Sequence, residues 1–188
     1  MKKIFHSIVL VSFWGLFSCN SPQNNTKTNN ATDTTQKIVS FDATEGKKQI
    51  AATLDSFNVA AAQSNYEKYF NYYTEDAIFI GTDATENWNK QAFMKWAKPH
   101  FDKKKTWNFK ALERNIYFSK SGDLAWFDEL LDTQMKICRG SGVLIKQGNE
   151  WKVQQYVLSM TIPNDKIDPV LKLKAPIEDS LIQKLKQK

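Results

Sequence analysis

Histidine is nearly missing from this chain: 188 residues hold two, His6 and His100. His6 lies in an amino-terminal segment expected to be removed, and His100 sits near a predicted helix end, where a surface position is the ordinary outcome. This excludes a histidine-based metal cluster and a histidine-dependent nucleophile. Cysteine is equally scarce. Cys19 has another fate, argued below, so Cys138 is left without a partner and no intramolecular disulfide is expected in the mature chain. Cys138 falls in a strand pattern and reads as a buried structural thiol. Arginine also numbers two, Arg114 and Arg139, and the lysines are spread, with Lys103-Lys104-Lys105 the densest run. A nucleic-acid surface would cluster basic residues on one face with aromatics between them, so no nucleic-acid partner is expected. No cofactor fingerprint and no acid pair at fixed spacing occurs, and neither a cofactor nor a metal is expected. The apolar run Ile4 to Phe17 is too short to span a bilayer by itself.

That run follows the basic Met1-Lys2-Lys3, which together read as a signal peptide over residues 1–18. Its removal takes Lys2 and Lys3 and lowers the formal net charge from +6 to +4. The run ends Leu16-Phe17-Ser18-Cys19, which resembles the bacterial lipobox. The resemblance implies that Cys19 becomes the acylated mature amino terminus, anchoring the protein to a membrane of the bacterial cell envelope and facing the periplasm. Residues 19–40 are mostly Asn, Thr, Ser and Gln, a segment too polar to offset its own ordering entropy and expected to be a flexible tether.

One globular domain is expected over residues 41–163. Ile50, Leu54, Phe57 and Ala61 recur at helical spacing. Ser64-Asn65 offers a cap for a short helix from Tyr66 to Tyr72, which turns Tyr69, Phe70 and Tyr73 towards something apolar. Asp76 to Ile80 reads as a strand, Gly81-Thr82-Asp83 as a turn and Ala84 to Trp88 as the return. Lys90 to Phe101 reads as a third helix with Phe93, Trp96 and Ala97 facing inward and Pro99 in its last turn. From Trp107 to Ile162 four runs rich in Val, Ile, Phe, Tyr and Trp form an antiparallel meander, broken at Ser119 to Gly122, less clearly near Met135 to Cys138, and at Gly148-Asn149. Residues 164–188 form an extension, helical from Pro176 to Leu185.

The run Asp76 to Asp83, Glu86-Asn87-Trp88, Asp123 to Asp128, Gly148 to Val153 and Ser159, in this order of helices and strands, resemble the SnoaL-like branch of the nuclear transport factor 2 (NTF2-like) and ketosteroid isomerase superfamily. The resemblance spans about Gln49 to Pro163 and implies an α+β, cone-shaped fold: a curved antiparallel sheet with three helices packed on its concave side. Two departures stand out. Asn89 follows the Trp where members commonly have Gly, and Asn tolerates the left-handed conformation such a corner needs. Gln155, Tyr156 and Val157 stand where members often carry His.

Parity sorts the strand faces. From Leu124 to Ile137 the more apolar set is Ala125, Phe127, Glu129, Leu131, Thr133, Met135 and Ile137, expected on the concave side. In the last strand Trp151, Val153, Gln155, Val157 and Ser159 share a face that the resemblance places inside the cone. Tyr156, Leu158 and Met160 then point out and need cover, from a second copy, as in the superfamily's dimers, or from the carboxy-terminal helix. The pocket expected inside the cone comprises Tyr73, Glu86, Trp88, Trp96, Phe127, Glu129, Gln155, Val157 and Ser159.

Glu129 has two readings. Among apolar neighbours it would serve as a general acid or base, with Asp83 the other candidate; alternatively it pairs with a basic residue on a neighbouring strand. Asp83 equally suits a turn residue bonding its own backbone, and Trp88 a core ring. Three functions follow. The favoured one is a membrane-anchored module binding a small, largely apolar molecule. The others are a cofactor-free isomerase or dehydratase of the ketosteroid isomerase type, and an interaction domain whose cone is filled by its own aromatics.

Overall fold

The computed structural model describes residues 41–187; the signal peptide, Cys19 and the whole of the tether lie outside the described residues. At the start of the described residues the Phe41 ring lies edge-on to Phe118 at 4.7 Å. Asp42 then caps α1 (Ala43–Ala62), accepting from the Thr44 and Glu45 amides at 2.9 and 3.2 Å. Helix α1 turns Ile50, Leu54, Phe57 and Ala61 into the core. Asn65 caps α2 (Tyr66–Asn71), which leads directly into β1 (Tyr73–Ile80). A loop returns through β2 (Asn87–Asn89) to α3 (Lys90–Asp102). Asn89 is extended (φ −68°, ψ 166°), not left-handed, and its side chain accepts from the Ala92 amide at 2.9 Å. The corner therefore needs a helix cap, which Asn supplies and Gly would supply less well.

The meander follows as β3 (Lys110–Phe118), β4 (Leu124–Thr133), β5 (Lys136–Gln147) and β6 (Glu150–Met160). The β4–β5 turn lacks Gly and Asn because Thr133 stabilises it: Thr133 Oγ1 accepts from the Met135 amide at 2.9 Å and donates to the Lys136 carbonyl at 2.8 Å. Cys138 is fully buried beside this turn.

The six strands form one sheet in the order β2-β1-β6-β5-β4-β3. It is mixed, not wholly antiparallel: β1 runs parallel to β6, and the one helix and four strands between them in sequence provide the long crossover that a parallel pair needs. One rung crosses the whole inner face, through Ile116, Phe127, Gly142, Tyr156, Phe79 and Trp88. Helices α1, α2 and α3 cover this face, and the interior is filled. Phe57 stacks on Tyr69 at 4.5 Å and Phe79 on Phe93 at 4.0 Å, while Tyr73 and Tyr156 pack edge-on or tilted against Phe57.

The parity expected for β6 fails halfway along it. Val143 pairs with Gln155 but Leu144 with Val153, so Gln154 is an extra residue, a β-bulge. The Thr74 hydroxyl donates to Gln154 Oε1 at 3.0 Å. Beyond the bulge every side chain changes face. Tyr156 and Leu158 point inward, at 1% and 6% exposure, and Gln155, Val157 and Ser159 point outward. Tyr156 and Leu158 are thus core residues and offer nothing to a second copy; of that expected outer set only Met160 is exposed.

The carboxy-terminal helix α4 (Ile167–Lys186) starts nine residues before Pro176, which lies inside it. None of its residues is buried, so it does not seal the outer sheet face. It borders a groove of about 980 Å³ shared with Met160 and the Gly81–Thr85 loop.

Candidate functional site

The open part of the cone is its mouth. Phe79 from β1, Trp88 from β2, Phe93 and Trp96 from α3, and Trp107 and Phe109 from the segment after α3 surround a pocket of about 180 Å³. Gln134 and Met135 of the β4–β5 turn close one side with Leu158, and Gly81, Thr82 and Glu86 of the β1–β2 loop form the rim. Helical spacing on α3 explains part of this. Phe93 faces the core at 1% exposure, while Trp96, one turn on, is 41% exposed. Trp88 stacks on Trp96 with centroids 5.0 Å apart and on Phe93 at 5.8 Å, and Trp107 lies 6.4 Å from Trp96. His100 packs on Trp96 at 4.8 Å but does not line the pocket.

Glu86 is the only acidic residue of the lining, and no basic residue joins it. Its Oε2 accepts from the Asp83 amide at 3.2 Å. Among the described residues it makes no ion pair. Gly81 permits this approach, because a Cβ there would collide with the Glu86 carboxylate.

Of the nine expected pocket residues, Glu86, Trp88 and Trp96 line the mouth. Tyr73, Phe127 and Glu129 lie in the filled interior, and Gln155, Val157 and Ser159 lie on the other face of the sheet. Glu129 is 1% exposed and both its oxygens are engaged. Arg114 Nε donates to Oε2 at 2.8 Å and the Tyr156 hydroxyl donates to Oε1 at 3.0 Å. Arg114 also donates to Asp55 Oδ1 at 2.8 Å and to the Ala51 carbonyl at 3.1 Å, tying β3 to α1. Burial works against the Arg114 charge, but Glu129 and Asp55 outweigh it and raise its pKa above the ordinary value. Of the two readings of Glu129, the structure shows the pairing with a basic residue on a neighbouring strand, and the carboxylate is buried away from the mouth. The pKa of Tyr156 is raised well above the ordinary value, by burial first and by Glu129 second, so its hydroxyl stays protonated as a donor.

Asp83 is bonded within its own loop. It sits in the exposed β1–β2 loop outside the pocket and accepts from the Thr85 amide and hydroxyl at 2.8 and 2.6 Å. Those bonds, the hydroxyl's first, lower its pKa and keep it ionised. Deeper in, the Tyr69 and Tyr73 hydroxyls meet at 3.1 Å, both buried. Among the described residues no group of three or more His, Cys, Asp or Glu side chains could hold a metal ion.

Sequence reasoning missed Phe79, Trp107, Phe109, Gln134, Met135 and Leu158 as lining residues. The repeated Gln154-Gln155 was the available signal for Leu158, since two consecutive polar residues break the alternation that places Trp151 and Val153 inside.

The SnoaL-like domain family model matches residues 50–163, well over half of the chain. Among solved structures, an NTF2-like protein of unknown function from Pseudomonas putida KT2440 is similar at TM-score 0.52 and 15% identity, over 66% of this chain and 92% of its own. A proposed dehydratase of the NTF2-like family from Streptomyces avermitilis is similar at 0.54 and 10%, over 62% and 96%. A domain of unknown function with a cystatin-like fold from Nostoc punctiforme PCC 73102 is similar at 0.54 and 16%, over 78% and 100%. At these identities the likeness is one of fold. No curated protein matches the chain in sequence.

Proposed function

The chain belongs to the SnoaL-like domain family, and we propose that it is a binding module that takes a small, largely apolar molecule at the aromatic mouth of its cone. The observation that carries this reading is the exposed Trp96 face, stacked on Trp88 and opening into a pocket with few polar groups. Glu129 is buried with both oxygens bonded, which favours binding over proton abstraction by that residue. An isomerase or dehydratase would have to use Glu86, the carboxylate at the pocket.

The test is titration of the full-length chain with indole, followed by the tryptophan indole N–H resonances. Saturable shifts are expected for the wild-type chain, with affinity lost in Trp96→Ala and the melting temperature nearly unchanged. Absence of saturable shifts in the wild-type chain would overturn the binding reading.

The membrane tether belongs to the same proposal. Its support is the run Leu16 to Cys19 and the polar segment that follows. Mass spectrometry of the mature amino terminus should find acyl groups on Cys19, and Cys19→Ser should move the protein from the membrane to the soluble fraction. An unmodified cysteine would remove the anchor and, with it, the envelope-bound, periplasm-facing placement.

A further inference from the structure

The mouth pocket pairs aromatic walls with one charge. Trp88, Trp96 and Trp107 supply large π faces, and the face of an aromatic ring is the negative end of its quadrupole. Glu86 adds a carboxylate that no described cation neutralises, and no lysine, arginine or histidine lines the space. Every electrostatic feature of the lining therefore favours positive charge. An anion would meet the Glu86 carboxylate and the ring faces at once, and a neutral apolar guest would gain only burial. A hard, fully hydrated cation such as sodium suits the site poorly, because its walls cannot replace the water it would lose. An organic cation with its charge spread over methyl groups loses little hydration and fits rings and carboxylate together.

We infer that the ligand taken at the mouth is a small organic cation of the quaternary or methylated ammonium class, held against the exposed Trp96 ring and the aromatic wall it forms with Trp88, with Glu86 as its counter-ion. This rests on the mouth being the binding site, and it names the ligand class of that site. The pocket volume of about 180 Å³ is enough for one trimethylammonium head.

The experiment compares choline with 3,3-dimethylbutan-1-ol, which has the same shape with carbon in place of the charged nitrogen. Both are titrated into the full-length chain and read through the tryptophan indole N–H resonances. Choline is expected to bind about tenfold more tightly than the neutral alcohol, the range set by a desolvated cation–π contact. Glu86→Gln should bring the two affinities close together. Trp96→Leu keeps apolar bulk but removes a π face, and it should weaken choline more than the alcohol. Equal or tighter binding of the alcohol by the wild-type chain would overturn the ligand class while leaving the indole result standing. If choline, the alcohol and indole all fail to bind, the ligand class falls together with the binding reading.

Discussion

Tyr156 on β6 reaches across β5 and donates its hydroxyl to Glu129 Oε1 on β4 at 3.0 Å. The strand between them makes room by carrying Gly140, where a Cβ would stand 2.5 Å from the Tyr156 oxygen and 3.0 Å from Glu129 Cγ. Two substitutions should therefore break the same bond from opposite sides. Tyr156→Phe leaves a buried carboxylate oxygen without its donor and should cost about 1–3 kcal/mol of stability. Gly140→Ala forces the hydroxyl and carboxylate apart and should cost about as much. In denaturant titrations the double variant should be less destabilised than the sum of the two, because both remove one interaction. Full additivity would show that the bond contributes little.

Buried tyrosines make the fold sensitive to alkali. Burial raises the pKa values of Tyr69, Tyr73 and Tyr156 above the ordinary 10.0, with Glu129 adding to the effect on Tyr156. A group with a raised folded pKa contributes stability that is complete below its unfolded pKa. Above pH 10 the unfolded chain loses these protons first, so stability should fall with a slope of about 1.4 kcal/mol per pH unit for each tyrosine. Tyr69→Phe should make the decline between pH 10 and 11 shallower by one tyrosine's share, measured by urea unfolding at stepped pH. An unchanged slope would mean that Tyr69 titrates equally in both states.

The bulge at Gln154 makes the faces of β6 testable one residue at a time. Leu158 is 6% exposed, so Leu158→Ala should cost about 2–4 kcal/mol, while its outward neighbour Ser159→Ala should change stability by less than about 0.5 kcal/mol. Uninterrupted alternation from Trp151 would place Ser159 inside and Leu158 outside, which would reverse the ranking.

That reversal marks where the sequence stops being legible. Helix α1, the cap at Asn65 and the faces of β4 follow from spacing and side-chain chemistry that act within a few residues. At the bulge Gln154 accepts from Thr74, eighty residues away in sequence, and no local pattern specifies such a partner. The site suffered accordingly. Glu86 and Trp88 could be placed from the β1–β2 loop alone, whereas Gln155, Val157 and Ser159 were placed by counting along a strand whose count changes at the bulge. Glu129 differs again: parity correctly turns it inward, but only the approach of Arg114 and Tyr156 decides between a catalytic acid and a paired one.

The β4–β5 turn links stability to the pocket through Thr133. Its hydroxyl holds the Met135 amide at 2.9 Å and the Lys136 carbonyl at 2.8 Å, and Lys136 adopts φ 68°, a conformation costly for a residue with a Cβ. Thr133→Val keeps the shape of a side chain that is 7% exposed but removes both bonds. It should cost about 1–2 kcal/mol, because two neutral hydrogen bonds are lost at a strained turn. The loosened turn carries Gln134 and Met135, which close one side of the mouth, so indole affinity should fall although no aromatic wall is altered. Thr133→Ser, which keeps the hydroxyl and loses only a methyl, should preserve most of the affinity. Should Val and Ser weaken indole alike, the methyl's packing and not the hydroxyl would be what holds the turn against the pocket.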